Sequence, residues 1–404
     1  MANLKISQLP VLTGADSATD DEFVVVDTSA TETKRITRTE LIEAVTQNFL
    51  AAYADTIAAT AVDVFVYDTS KDSDGGAWRE RTQGTSWYSE TLNTSTRGAT
   101  RKFPAVAVIV AEASKITIYD ADDPALPMWM VFETSGSSYN SKFLPRSAVI
   151  LKAVAMANGF LAVGGNAGSP YHDAFVEISF LKDEALFRSV SLVGKFHGGI
   201  SARNSTSASE ITGSYIVSST INDIAMTVLP GAPIDSATGL PVPTIAVATD
   251  GGVSVINNDG TVADSAYTSA IGGGQFDAEG NLYFWRNTFG GRMEYSTVAD
   301  YEAGDGFGDQ IGNTSATSDI DFLSYSAALS AHSLNGGILV MGGADTSGTA
   351  VPGLSYYHLN PSDFTKGMSA LITSDYNTGW MVGDTKGAWL SDTDTTNITG
   401  AELV

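Results

Sequence analysis

The residues best suited to acid–base or metal chemistry are four histidines, His172, His197, His332 and His358. None stands in an H-E-x-x-H or similar zinc spacing, and each reads as a loop or core residue. No G-x-S-x-G elbow marks a serine nucleophile, although a Ser/His/Asp grouping assembled in space stays open. The chain has no Cys, which excludes disulfides, thiolate metal sites and Cys nucleophiles. Asp68, Asp72 and Asp74 precede Gly75-Gly76 somewhat as in a Ca²⁺ loop, and Asp120, Asp122 and Asp123 form a second cluster. Neither has the Glu that an EF-hand loop demands, so solvated turns are expected; no cofactor is implied, with Ca²⁺ an open alternative that no motif supports. With 46 acidic residues a glycosidase-type carboxylate pair is always available on paper, so its availability points nowhere.

Aromatic residues say more. Trp129, Trp285 and Trp389 fall within apolar strand patterns and read as core. Trp78 and Trp87, with Tyr88 adjacent, stand among Gly, Arg, Thr and Ser. An exposed Trp-Tyr pair stacks on a sugar face, so these three are the candidate carbohydrate-stacking residues; packing under a loop is the alternative.

The elements that must position such residues are short strands. In IAVATDGGVSVINNDG (245–260), two alternating runs meet at Asp250-Gly251-Gly252, the pattern of a tight hairpin. The theme recurs as FLAVGG (160–165), ILVMGG (338–343) and WMVGD (380–384). The aligned valines Val163, Val247, Val340 and Val382 are separated by 84, 93 and 42 residues. A repeat of roughly 40–47 residues is the blade length of a β-propeller. The predicted fold is mainly β: a propeller of about seven blades, six being possible, over 56–404, preceded by a small α/β arm over 1–55. Ring closure by pairing Val64–Tyr67 with Gly387–Leu390 is expected, and Ala77–Arg81 is read as a strand. A pair of β-sandwiches matches the strand density but not the recurrence.

The arm reads as strand, strand, helix. Phe23–Val26 is a strand, Thr33–Ile36 pairs back on it, and Thr37-Arg38-Thr39-Glu40 is a capping box opening a helix with Leu41, Ile42, Val45 and Phe49 on its apolar face. About 50 residues bury too little surface for secure stability alone. The arm is therefore expected to pack on a partner or on further copies. Ile6, Leu9, Phe23, Val25, Ile36 and Leu41 are the candidate docking residues.

Net charge is −24, a field that repels nucleic acid and anionic membrane surfaces. No run of about 18 apolar residues spans a bilayer, and MANLKISQLP lacks the apolar core of a signal peptide, so it reads as a mature, cytoplasmically made start.

Two stretches carry a resemblance. KISQLPVLTGADSATDDEFVVVDTSATETKRITRTELIEAV resembles the N-terminal segment of bacteriophage tail-fibre and other virion structural proteins. VYDTSKDSDGGAWRERTQGTSWYSETLNTSTRG, FPAVAVIVAEASKITIYDADDPALPMWMVF and DTKGAWLSDTD are similar to propeller-like repeats of marine-phage virion proteins. The resemblance implies a structural, non-enzymatic protein of the virion, most readily the tail. Its arm would dock to other tail proteins or form a homo-oligomer such as a trimer. Its body would serve host adsorption, through a host-surface glycan or protein, or scaffold the adsorption apparatus. Such proteins often continue past a segment like ITGAELV into a sugar-binding sandwich; with the sequence ending at Val404, a scaffold or adaptor role is the expectation. A polysaccharide-degrading tail enzyme with a carboxylate pair on the propeller face is the alternative. No catalytic residue is carried over.

Overall fold

The computed structural model describes residues 59–310, save 136–141, 147–149, 167–174, 267 and 287–291. It also describes the backbone of seven further strands within 22–37 and 330–390. The chain divides into two units, one of Met1–Thr60 with Asp123–Ala125, the other of Ala61–Asp122 with Leu126–Val404.

In the first unit β1 (Glu22–Asp27) and β2 (Glu32–Thr37) form an antiparallel hairpin with Phe23 opposite Ile36 and Val25 opposite Lys34. The expected helix and the positions Ile6, Leu9 and Leu41 lie outside the described residues.

The second unit is a β-propeller-type array of sheets whose strands follow sequence order. The first sheet holds β3 (Ala61–Asp68), β4 (Val106–Glu112), β5 (Lys115–Asp120), β6 (Met128–Ser135) and β7 (Leu144–Arg146). The second holds β8 (Ile150–Ala157), β9 (Phe160–Asn166), β10 (Phe175–Ser179), β11 (Glu184–Arg188), β12 (Val193–Phe196) and β13 (Ala208–Ile211). The third holds β14 (Ile221–Thr227), β15 (Thr244–Thr249), β16 (Gly252–Ile256) and β17 (Val262–Asp264). The fourth holds β18 (Ile271–Phe276), β19 (Leu282–Arg286), β20 (Arg292–Ser296) and β21 (Asp309–Gln310), with a one-turn helix α1 (Val298–Glu302) between the last two. The fifth holds β22 (Ser330–Leu334), β23 (Ile338–Gly343), β24 (Gly353–Leu359), β25 (Gly367–Thr373) and β26 (Thr385–Leu390). The first strands touch in succession, β3 with β8, β8 with β14, β14 with β18 and β18 with β22. That is how blades stack side by side around an axis.

Strand composition follows from this stacking. A strand covered on both faces reads as a continuous apolar run. Every residue of β15 is buried: Ile245 and Val247 face the second sheet, Ala246 and Ala248 the fourth. In β8 and β9, Val154, Met156, Leu161 and Val163 face the first sheet, while Ala153, Ala155 and Ala162 face the third. Each fully buried Val, Leu or Ile is worth about 1.5–3 kcal/mol.

The inner strands carry a repeated device. Each of β3, β8, β14 and β18 has a bulge, at Ala61/Asp63, Leu151/Ala153, Ile221/Asp223 and Ile271/Gly273. At two of the four the residue after the bulge is Asp. Asp63 accepts from Val64 N and from Val154 N of the next inner strand, both at 2.8 Å. Asp223 likewise accepts from Ile224 N at 2.9 Å and from Gly274 N of the next inner strand at 3.2 Å. These carboxylates clip neighbouring blades together where the bulges free a backbone N–H.

Among the described residues five sheets lie between Ala61 and Leu390; the first carries an insertion over residues 69–105 and the second recruits six strands. Two expectations are corrected. Among the described residues β3 and β26 do not pair: β3 bonds β4 and β26 bonds β25, each at the edge of its own sheet. Ala77–Arg81 is a 3-10 helix entered through Gly76 at φ 81°, not a strand. Among the described residues no helix is long and apolar enough to cross a membrane.

Candidate functional site

The proposed sugar-stacking residues are in the core. Trp78 and Trp87 are completely buried and Tyr88 is half-buried. The 69–105 insertion folds inward because its indoles find both apolar walls and acceptors. Trp87 Nε1 donates to Phe180 O at 2.9 Å and its ring meets Trp129 and Phe180 edge-on. Trp78 Nε1 donates to Asp72 Oδ2 at 2.7 Å. Neither indole has a free face for a ligand. Trp129 and Trp285 are buried, as their strand positions predict.

The Asp68–Asp74 stretch serves the same insertion. Asp72 accepts from the Tyr67 hydroxyl, from Trp78 Nε1 and from Asn158 N. Burial raises the Asp72 carboxyl above its ordinary range, partly offset by those donors. Asp74 pairs with Arg81 at 2.9 Å. No cluster of three or more His, Cys, Asp or Glu is placed to hold a metal ion among the described residues. Asn158 and Gly159, at φ 48° and 75°, form the two-residue turn between β8 and β9. Asn158 Oδ1 accepts from Ser73 N, and its Nδ2 donates to Pro241 O. One buried amide thus joins the insertion, the second sheet and the loop entering β15.

A second buried network is also structural. Glu90 lies between two guanidinium groups, 2.6 Å from Arg203 Nη1 and 3.4 Å from Arg97 Nε. Arg97 stacks on Trp129 with its Cζ 4.3 Å from the ring centroid, and donates to Trp129 O and Arg101 O. Arg203 donates to Val131 O, Thr96 O and Ile200 O. Burial pushes Arg97 down to about 10, with Glu90 opposing, so it stays charged near neutrality.

Of the histidines, His172 lies outside the described residues, and for His332 and His358 only the backbone is described. His197 is exposed, with Nε2 2.7 Å from Ser209 Oγ. Among the described residues no carboxylate bonds its other ring nitrogen, so this pair lacks the third member of a triad.

Among the described residues an open cleft of about 290 Å³ lies between the second and third sheets. Its apolar lining includes Phe160, Leu186 and the buried Ile245 and Ile256. Polar groups converge on it from three directions. Glu177 comes from β10, Glu184 and Arg188 from β11, and Lys182 from the turn between them. Asp235 projects from the loop of residues 230–243, and Asn257 to Gly260 turn away at the end of β16. Lys182 bridges to Asp235 and lies 5.7 Å from the Phe160 ring centroid. Burial alone raises Asp235, but the Lys182 ammonium and the N–H groups of Ala237 and Thr238 outweigh it and hold the carboxyl below its ordinary range. Arg188 donates from Nη1 to Ser214 O at 2.9 Å. An apolar lining with a few fixed charges suits a small polar ligand with an apolar face. Sequence reasoning did not find this cleft, because its lining residues from the second and third sheets come together only once the two sheets stack.

No family model matches the sequence, and no curated protein matches it. Solved structures with partial likeness include Hsv2 of Kluyveromyces marxianus, at 7% identity and TM-score 0.29, over 63% of this chain and 64% of that one. A putative 6-phosphogluconolactonase of Bacteroides fragilis follows at 13% identity and TM-score 0.36, over 68% and 69%. YCF48 bound to D1 peptide gives 10% identity and TM-score 0.32, over 62% and 74%. Scores this low carry no argument about function, and the fold stands on its own sheet order.

Proposed function

We propose that this chain is a non-catalytic structural protein of a bacteriophage virion, carried on the particle by its N-terminal arm and contributing its β-propeller body to host adsorption. The observation that carries the reading is the hairpin of β1 and β2. The segment that resembles virion docking arms, EFVVVD and ETKRIT, pairs strand on strand in a unit separate from the body. A two-stranded hairpin is at best marginally stable in water, so the arm needs a partner surface. Ile6, Leu9, Phe23, Val25, Ile36 and Leu41 supply the apolar side of that contact in this reading. The acidity of the chain, −24 overall, agrees with a particle-surface protein that avoids nucleic acid. A tail location is preferred on the resemblance. Phage made with this protein lacking residues 1–50 is expected to form particles without it while the truncated body accumulates folded. Normal incorporation of the truncated protein refutes arm docking.

A further inference from the structure

The first sheet has one face that the second does not cover. In β3, Phe65 and Tyr67 pack with the core shared with the second sheet, whereas Val62, Val64 and Val66, on the opposite face, are 42, 47 and 62% exposed. The strand register carries this outer face across the sheet: Val64 stands opposite Val110, Val110 opposite Thr117 and Thr117 opposite Val131. A sheet face that meets water carries polar residues, so a face rich in valine is built to be covered. Part of it is covered. Val110 and Thr117 are 1 and 3% exposed, yet Val110 belongs to none of the three clusters that join the first four sheets. This burial arises within one copy of the chain, so the chain itself supplies the cover.

The order of the blades selects the segment. First strands touch in succession from β3 to β22, so the first and fifth sheets are the two ends of the series. Within the series the first strand of a sheet also touches the second strand of the sheet before it, β14 with β9 and β18 with β15. For β3 the equivalent strand is β23. In β9 and β15, Val163 and Val247 face the preceding sheet, while Ala162 and Ala246 face the following one. ILVMGG of β23 aligns with FLAVGG of β9, which puts Val340 on the face toward the fourth sheet and Leu339 and Met341 on the face away from it. Tyr357, opposite Leu339 in the register, shares that outer face. In a chain with 46 acidic residues, β23, β24 and β25 hold no Asp, Glu, Lys or Arg, the composition of a sheet covered on both faces.

We propose that the valine face of the first sheet is the docking surface for the fifth sheet of the same chain, so that the ring closes face on face with no strand shared between its ends. Separate pairing of β3 with β4 and of β26 with β25 is what such a closure requires. A tethered sheet meets the face at an effective concentration of about millimolar, which favours it over a second copy. The chain has no Cys, so thiols placed in it report on this contact alone. One full-length variant carries Val64→Cys with Leu339→Cys, and a second carries Val66→Cys with Met341→Cys in case the first misfolds. The control pairs Val64→Cys with Glu279→Cys, in the exposed turn between β18 and β19 of the fourth sheet. The probe is a bismaleimide spanning about 10 Å, the spacing of packed sheets. The expected product is a monomer carrying one linker, with the peptides of β3 and β23 joined in mass spectra. Its yield should exceed the control about tenfold and stay unchanged on about tenfold dilution of the protein. Linked dimers whose yield falls on dilution would put a second copy on the face and overturn the proposal. Thiols that each react without joining, or a yield equal to the control in both folded variants, would overturn it as well.

Discussion

Replacing Trp87 with Phe separates its two readings, core residue and sugar platform. The variant keeps a ring among Trp129, Phe180 and Tyr88, whose centroids lie 5.5, 5.7 and 6.1 Å from that of Trp87. It deletes the indole N–H that donates to Phe180 O. A buried carbonyl left unpaired costs about 1–3 kcal/mol. Truncation to Ala adds a packing loss of about 3–5 kcal/mol. Against a total stability of about 5–15 kcal/mol, the Ala variant threatens the fold itself, so Trp87→Phe is the informative change. With a urea slope of about 3 kcal/mol/M, its midpoint is expected to fall by about 0.3–1 M. The assay is urea unfolding of the full chain followed by far-ultraviolet circular dichroism, with sugar binding measured in parallel. An unchanged midpoint together with lost sugar binding would show that Trp87 meets ligand and that the packing account is mistaken.

Two further changes test the inner clips and the buried charges. Burial holds the Asp223 carboxyl at about 7, offset in part by the N–H groups of Gly274 and Ile224 and reinforced by Asp63. Its pKa is thus raised on folding, so its contribution is complete below about pH 4 and is lost as pH rises through about 7. Relative to Asp223→Asn, the parent should lose up to about 1.4 kcal/mol per pH unit across that window, and a pH-independent difference in urea midpoint contradicts the clip's electrostatics. Glu90→Gln leaves Arg97 and Arg203, 1% and 2% exposed, without their shared carboxylate. It should cost about 3–5 kcal/mol in the same assay, and a loss under about 0.5 kcal/mol means that the network contributes little.

Much of the fold was legible because stacked blades impose period-2 patterns. The runs around Val64, Val108, Ile118, Val154, Val163, Val247, Val255 and Phe284 all lie in strands. The β1–β2 hairpin follows its alternation too. What escaped was short or non-local. β11, β12 and β13 are four or five residues long and carry Arg, Lys, Gly and Glu, so no run announces them. The Asn158-Gly159 turn is the Asn-Gly signal of a tight hairpin, set between two apolar runs. Trp78 and Trp87 looked exposed because their neighbours in sequence are polar; their neighbours in space are Phe103, Trp129 and Phe180. The cleft was invisible because its walls belong to different sheets.

The most direct test of the central claim is immunogold electron microscopy of purified virions with an antibody raised against residues 61–310. The account predicts label at the tail, lost in particles made with the arm-deleted protein. No label on intact virions, with the protein also missing from their disrupted contents, would contradict it.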